Sequence, residues 1–263
     1  MATQVSLFSY LQAAPPVIPA SPPSNPSRNT TNTAYGADDI RSTAVWPGFD
    51  LQTILQRYEA LLMQVQLPAD PMPISPSRGV PTETALREKL GEYVYPRVRR
   101  ALRAAFQHLA TVGQMNGSTA LEFGSGDFAK VIDGFRPDTA YFVSALPSAT
   151  GPNRAPGDIK PSWKWSTAMA SHRIPGYRAE YRQALSQVNF YMKQHRSRYG
   201  FILTDRELVV FRRRDNNGNL ELASPTPFTA GGTAQQPQLT VLMALWYLGM
   251  LAAQDQGVDR WYL

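Results

Sequence analysis

The chain has 263 residues, with 26 lysines and arginines against 20 aspartates and glutamates, and it contains no cysteine. The lack of cysteine excludes disulfides, thiolate zinc sites and cysteine nucleophiles, and it fits a reducing, intracellular location. The formal net charge of +6 favours an anionic partner, and nucleic acid is the commonest polyanion for a basic protein.

The first part of the chain differs in composition from the rest. Residues 1–48 are rich in Pro, Ser, Asn and Thr, so we expect a disordered tail with too few large apolar side chains to offset the entropy of ordering. The start lacks the basic segment and continuous apolar core of a secretory signal. Residues 49–263 are enough for a single well-buried domain.

Apolar residues at three- and four-residue steps predict four helices in this domain. They are 51–65 after an N-cap at Asp50, 82–113 with a break at Pro96, 177–200 with a glycine stop at Gly200, and 238–254. The last contains the longest apolar run, 239–253, which is shorter than the ~20 residues that cross a bilayer. It predicts a buried helix and no membrane partner.

Short apolar runs cut by Gly, Asp and Pro predict the strands. Three consecutive strands are expected at 119–123, 138–146 and 158–165, and a hairpin at 201–204 and 207–214. The order of helix, three strands, helix, two strands and helix indicates an α/β sandwich around one sheet.

Acidic and basic residues mark the ends of two of these strands. Asp138 follows Pro137 at the start of one strand, and Asp158 and Lys160 lie two residues apart in the next. Residues at i and i+2 of a strand point to the same face, so Asp158 and Lys160 share a face while Ile159 turns to the other. Neighbouring strands can bring both acids to one edge of the sheet.

The run Pro137-Asp138, a strand and Asp158-Ile159-Lys160, in this element order, resembles the PD-(D/E)XK nuclease-like superfamily over about residues 82–213. The resemblance implies a restriction-endonuclease-like fold, a three-layer αβα sandwich around a mixed central sheet, here with extra N- and C-terminal helices. It also implies that Asp138 and Asp158 bind Mg²⁺, for which Mn²⁺ substitutes, that the Ile159 carbonyl completes the site, and that Lys160 orients or activates the attacking water.

The same resemblance implies supporting residues on two helices. Glu83, or otherwise Glu88, matches the glutamate that many relatives carry on the helix before the sheet; the alternative is a first-turn acid favoured by the helix dipole. Gln187 and Tyr191 resemble the Gln-x-x-x-Tyr feature of recombination-exonuclease branches, where it flanks the active site. An exposed polar stripe is the alternative for this pair.

Several other residues are open to two interpretations. A shifted strand register would replace the chosen acids by Asp127 or Asp133. Trp163, Trp165 and His172 could touch a substrate or serve in packing. Arginines on one helix and at the end of the hairpin could contact phosphates or form a solvated face; they are Arg97, Arg99, Arg100, Arg103, Arg212, Arg213 and Arg214.

Residues 4–11 carry a second signal. Gln4, Leu7, Tyr10 and Leu11 resemble the spacing of sliding-clamp-binding peptides, although Leu11 replaces the usual second aromatic residue. The resemblance implies a clamp partner reached through a flexible linker; the alternative is a tail end that happens to contain apolar residues.

Together these features predict a Mg²⁺-dependent nuclease that hydrolyses DNA phosphodiester bonds, with a nuclear location and a role in DNA repair. The alternative is a catalytically inactive nuclease-like fold that binds nucleic acid or protein. The aspartate at position 158, where glutamate is commoner in the superfamily, keeps that alternative open.

Overall fold

A computed structural model describes residues 3–25, 28–74 and 78–263. The helices are α1 (Leu7–Leu11), α2 (Leu51–Gln64), α3 (Glu83–Tyr93), α4 (Tyr95–Thr111), α5 (Pro175–Gln194) and α6 (Val241–Ala252). The strands are β1 (Gln4–Ser6), β2 (Ser42–Val45), β3 (Gln66–Pro68), β4 (Leu121–Ser125), β5 (Thr139–Val143), β6 (Gly157–Ile159), β7 (Tyr199–Leu203), β8 (Glu207–Arg213), β9 (Asn219–Leu222) and β10 (Thr226–Pro227).

One large mixed sheet forms the centre of the molecule. Its strands lie in the order β2-β9-β8-β7-β6-β5-β4, with β10 beside β8. The β2–β9 and β6–β7 pairs are parallel, and the other neighbours are antiparallel. The predicted α/β class with a large mixed central sheet is therefore confirmed.

Helices cover both faces of this sheet because its central strands are apolar on both sides. In β7, Phe201 and Leu203 belong to the larger core, which includes residues of α2, α3, α4 and α6. Ile202 belongs to a second core with the apolar side of α5. The alternation along one strand thus separates two apolar layers. Among the α-helices in the described part of the chain, α5 is the one that contributes to the second layer.

The predicted helices form close to their expected limits. Asp50 caps α2, its Oδ1 accepting a hydrogen bond of 2.7 Å from Thr53 N. The break before Pro96 separates α3 from α4 at Val94. All residues of α6 are buried, as its continuous apolar sequence predicts. In the described part of the chain, no helix has both the length and the apolar character needed to cross a membrane.

Two boundaries differ by six residues from the sequence prediction, more than the others. β6 ends at Ile159, and Pro161 accepts a hydrogen bond from Lys164 N in a turn, so the strand does not reach residue 165. α5 ends at Gln194, and Gly200 lies inside β7. A Cβ at Gly200 would lie 2.8 Å from Met192 Sδ and from a Val188 methyl, so the glycine permits close helix packing and is no helix stop.

The segment expected to be a disordered tail is the largest correction. β1 pairs antiparallel with β3, and in α1 the side chains of Leu7, Phe8, Tyr10 and Leu11 are buried in the larger core. Three of the four residues of the expected clamp-binding peptide are therefore inside the domain, and only Gln4 is exposed. The apolar cluster in these few residues is diluted by proline and serine when composition is averaged over 1–48. Residues 1–2 and 26–27 of that range lie outside the described residues.

Candidate active site

The pairing of β5 with β6 sets two carboxylates opposite each other. Thr139 pairs with Gly157 in antiparallel register, so the next positions outward are Asp138 and Asp158. Asp138 Oδ2 accepts a hydrogen bond of 2.8 Å from Ile159 N, which ties this side chain across to β6. The side chains of Asp138 and Asp158 are only 10% and 2% exposed. Two acids thus meet where water is largely excluded.

A fully buried asparagine holds the connection between these strands. Asn153 Oδ1 accepts from Tyr141 N at 3.1 Å and from Ala155 N at 3.3 Å, and its Nδ2 donates to Thr139 O at 2.8 Å. Asn153 N in turn donates to His195 Nδ1 at 3.2 Å. These bonds replace strand pairing that a three-residue β6 cannot supply, and so fix the position of the two aspartates.

Gly157 is required at the point where the strands meet. A Cβ on this residue would lie 2.1 Å from the Phe201 ring and 2.4 Å from Thr139 Oγ1. Any larger residue would push β6 away from β5 and β7 and would separate the carboxylates.

Three cations face the acids. Lys160 Nζ lies 2.6 Å from Asp158 Oδ2, in a contact without the angles of a good hydrogen bond. Arg87 Nη2 bridges Asp138 Oδ1 at 2.9 Å and Glu83 Oε1 at 2.7 Å. Lys164 Nζ lies 3.4 Å from the other oxygen of Glu83. The site is therefore a network of acids and bases in equal number.

Burial and repulsion control the charge of the aspartates. Loss of solvent, and then the neighbouring charge of Asp158, raise the pKa of Asp138 to about 7. Burial also raises the pKa of Asp158, against the attraction of Lys160. Burial alone would raise the pKa of Glu83, but the attraction of Lys160, Arg87 and Lys164 outweighs it and lowers that pKa. The surroundings therefore favour the protonated form of both aspartates more than water does.

Lys160 remains a cation in this setting. Burial by itself would lower the pKa of its ammonium, but the attraction of Asp158, Glu83 and Asp138 is stronger and the pKa is raised. Since the ammonium keeps its proton at neutral pH, it acts as a positive charge and donor.

The Gln187–Tyr191 pair lies beside the acids. Gln187 Nε2 donates to Tyr191 OH at 3.0 Å on the buried side of α5, so the two do not form an exposed stripe. Burial raises the pKa of the Tyr191 phenol, and the charges of Asp158 and Asp138 act in the same direction, which places Tyr191 within electrostatic reach of both.

Two neighbours of the site were not expected from sequence. Arg87 lies one turn after Glu83 on α3, so its i,i+4 spacing was a usable signal. Tyr35 lies in the segment expected to be disordered; burial raises its pKa and the charge of Asp158 adds to this effect. Nothing in the local sequence of Tyr35 indicates the site, because only the tertiary fold brings it there.

The alternative acids lie elsewhere. Glu88 is exposed on α3. Asp127 forms an exposed ion pair with Arg136, and Asp133 is exposed in a turn with a positive φ of 52°. These contacts leave Asp138 and Asp158 as the facing pair.

The arginines and Trp165 mainly stabilise the fold. Trp165 is fully buried, stacks 5.6 Å from the Tyr181 ring and donates to the Tyr181 carbonyl. Arg97 and Arg100 pair with Asp70, Arg103 with Glu122, and Arg212 and Arg214 with Glu221, whereas Arg99 and Arg213 donate to main-chain carbonyls.

The donor set fits a hard divalent cation. Mg²⁺ typically takes one or two carboxylates and completes its shell with water and substrate phosphate. Asp138 and Asp158 supply two facing carboxylates, and Asp158 Oδ2 is buried without a well-formed hydrogen bond. Among the residues described, no group of three or more His, Asp or Glu side chains is placed to hold a metal ion. Glu83, which was expected as a further ligand, pairs with Arg87 and Lys164. The fit is to two protein carboxylates.

Comparison with known proteins adds little. No protein-family model and no curated protein matches the chain. A cryo-electron microscopy structure of a DrdV–DNA complex matches 67% of this chain at 17% identity and a TM-score of 0.26. The match spans 14% of the length of that chain, and a likeness of this size establishes no shared activity.

Proposed function

We propose that this protein is a Mg²⁺-dependent nuclease of the PD-(D/E)XK type that hydrolyses DNA phosphodiester bonds. The observation that carries the proposal is the placement of Asp138 opposite Asp158 on adjacent strands, with Lys160 Nζ 2.6 Å from Asp158. A nuclear location and a role in DNA repair stay predictions from the sequence.

The chemistry follows from the residue types. Mg²⁺ held by Asp138 and Asp158 would neutralise phosphodiester charge and make its bound water a better nucleophile. In hydrolysis, the oxygen of a water molecule would bond to phosphorus as the bond to one sugar oxygen breaks. The attacking water would release a proton to solvent and the sugar oxygen would take one from solvent, which yields a phosphate monoester and a free hydroxyl. Because Lys160 is protonated, it orients the water and stabilises developing negative charge; it does not remove the proton.

Gln187 and Tyr191 are positioning residues in this scheme. The Gln187 amide donates to the phenol oxygen at 3.0 Å, so the phenol keeps its own O–H to donate. The raised pKa of Tyr191 keeps that proton in place at neutral pH. We expect the Tyr191 O–H to donate to a phosphate oxygen of the substrate.

Cleavage assays with Asp138→Asn test the catalytic role. The amide retains an oxygen to accept from Ile159 N but loses the charge that binds metal, so the variant should fold. With Mg²⁺ or Mn²⁺ and plasmid or single-stranded DNA, we expect its rate to fall at least about 100-fold, since a bound metal ion stabilises the transition state by several kcal/mol.

Asp50→Asn is the matched control, because asparagine is as good an N-cap as aspartate and α2 is retained. It should cleave as wild type does. Equal cleavage by wild type and Asp138→Asn, or none by wild type with either metal, would contradict the catalytic proposal.

A second candidate is a nuclease-like fold that binds without turnover. It is favoured by the internal ion pairs, in which Arg87 already occupies both Asp138 and Glu83. Calorimetric titration with Mg²⁺ and Mn²⁺ separates the two: a nuclease binds the ion through Asp138, and an inactive module shows no binding that Asp138→Asn removes.

A further inference from the structure

A partly apolar cleft lies beside the candidate active site. It has a volume of about 290 Å³ and is lined by Trp163, Met169, Ile174 and Tyr177. Ile174 and Tyr177 are 47% and 44% exposed and line the same cleft. Trp163 packs partly against the larger core, which fixes this wall.

The rim of the cleft carries positive charge. Arg28 and Lys164 line it together with Glu180. The Glu180 carboxylate already accepts a hydrogen bond of 3.0 Å from Asn29 N, and Asn29 Nδ2 donates to the Lys164 carbonyl at 3.2 Å. Buried Asn29 thus fixes the segment next to Arg28 against Glu180 and Lys164 on the other side of the cleft. The rim therefore carries one exposed cation, Arg28, and one largely buried cation, Lys164, which pairs with Glu83.

Lys164 connects the cleft to the catalytic acids. Its Nζ lies 3.4 Å from Glu83 Oε2, and Glu83 shares Arg87 with Asp138. Three ion pairs therefore connect the cleft to Asp138, and Trp163 and Lys164 lie in the turn that follows β6. A ligand that reaches both sites needs a flat apolar group next to a phosphate.

Size decides which flat group fits. Drug-sized ligands occupy pockets of about 300–1,000 Å³, so this cleft accepts one small planar ring system and not a base-paired duplex. Aromatic side chains stack on any nucleobase, and a neighbouring cation holds the phosphate that follows it.

We infer that the cleft formed by Trp163, Ile174 and Tyr177 binds one unstacked nucleobase of a DNA strand whose phosphate lies at the Asp138–Asp158 site. The inference rests on the proposed nuclease function and names its substrate class: single strands, or duplexes with an unpaired nucleotide at the scissile position.

Binding without cleavage tests this directly. Fluorescence anisotropy in EDTA measures the affinity of the full chain for three kinds of DNA. They are a short single strand, the matching duplex, and single strands that each lack one base. Wild type should prefer the single strand, and loss of the base at one position should weaken binding roughly 5- to 150-fold. Tyr177→Ala should lose a similar factor on the intact strand and nothing further on that abasic strand.

Tyr262→Ala is the control, because Tyr262 is a similarly exposed tyrosine (42%). Its backbone pairs with Ser197, just past the C-terminal end of α5, whereas the cleft lies at the N-terminal end of this helix. It should bind as wild type does. Equal abasic losses in wild type and Tyr177→Ala, equal affinity for single strand and duplex, or no binding at all would overturn the inference. If base removal weakens binding by wild type but not by Tyr177→Ala, and wild type shows no Mg²⁺-dependent cleavage, only the catalytic proposal is rejected.

Discussion

Arg87→Ala should tighten the binding of a divalent cation. The Arg87 guanidinium holds Asp138 at 2.9 Å and Glu83 at 2.7 Å, so a metal ion at Asp138 competes with this internal cation. Because the Arg87 side chain is 44% exposed, each ion pair is worth only about 0.5–1 kcal/mol. Because the ion is held by Asp138 and Asp158, only the pair with Asp138 competes, and its removal should lower the dissociation constant for Mg²⁺ by about 2- to 5-fold.

Calorimetry at pH 8 measures this effect under conditions in which Asp138 is ionised. Arg103→Ala is the matched control, since Arg103 forms a comparable exposed pair with Glu122 at 3.0 Å on α4. It should leave Mg²⁺ binding unchanged. An Arg87→Ala protein that binds Mg²⁺ as weakly as wild type, or more weakly, would refute the competition between the guanidinium and the metal.

Two further predictions concern stability. Burial lowers the pKa of His195 to about 4 from 6.5, so the unfolded chain takes up this proton first, and the stability that His195 contributes should fall by about 3 kcal/mol as the pH drops from 6.5 towards 4. The raised pKa of Asp138 acts in the opposite direction over this range, so the effect is read as a difference between variants. In urea titrations, wild type and His108→Gln should lose about 3 kcal/mol relative to His195→Gln between these pH values. Phe8→Ala should lower the free energy of unfolding by about 3–5 kcal/mol, because the Phe8 ring is only 2% exposed. Ser9→Ala, at an exposed position of the same helix, should change it little. Equal melting temperatures for the two variants would mean that α1 is not part of the core.

The facing aspartates were accessible from the sequence because two local rules combine there. Alternation along a strand places Asp158 and Lys160 on one face, and strands that follow each other in sequence are usually neighbours in a sheet. The paired positions Thr139 and Gly157 then bring Asp138 opposite Asp158. Helix limits were equally accessible where a cap or a proline marks them, as at Asp50 and Pro96.

The N-terminal segment was not accessible in this way. Its few large side chains are too sparse to give a helical or strand period, yet Leu7 and Phe8 fill the larger core. Tyr35 reaches the surroundings of Asp158 by packing against Phe190 of α5, with ring centroids 5.4 Å apart. Such placements depend on the shape of a surface built by distant residues, and composition reports nothing about that shape.

The charge balance of the site connects these results to substrate binding. Glu83, Asp138 and Asp158 face Arg87, Lys160 and Lys164, so the site is neutral when all six are ionised. The arginine clusters that were expected to bind phosphates are largely occupied by Asp70, Glu122 and Glu221. A neutral site attracts a polyanion weakly, whereas two added positive charges would favour the phosphodiester at the place where it is to be cleaved. In the proposed nuclease, the metal ion therefore contributes to the binding of the substrate as well as to its hydrolysis.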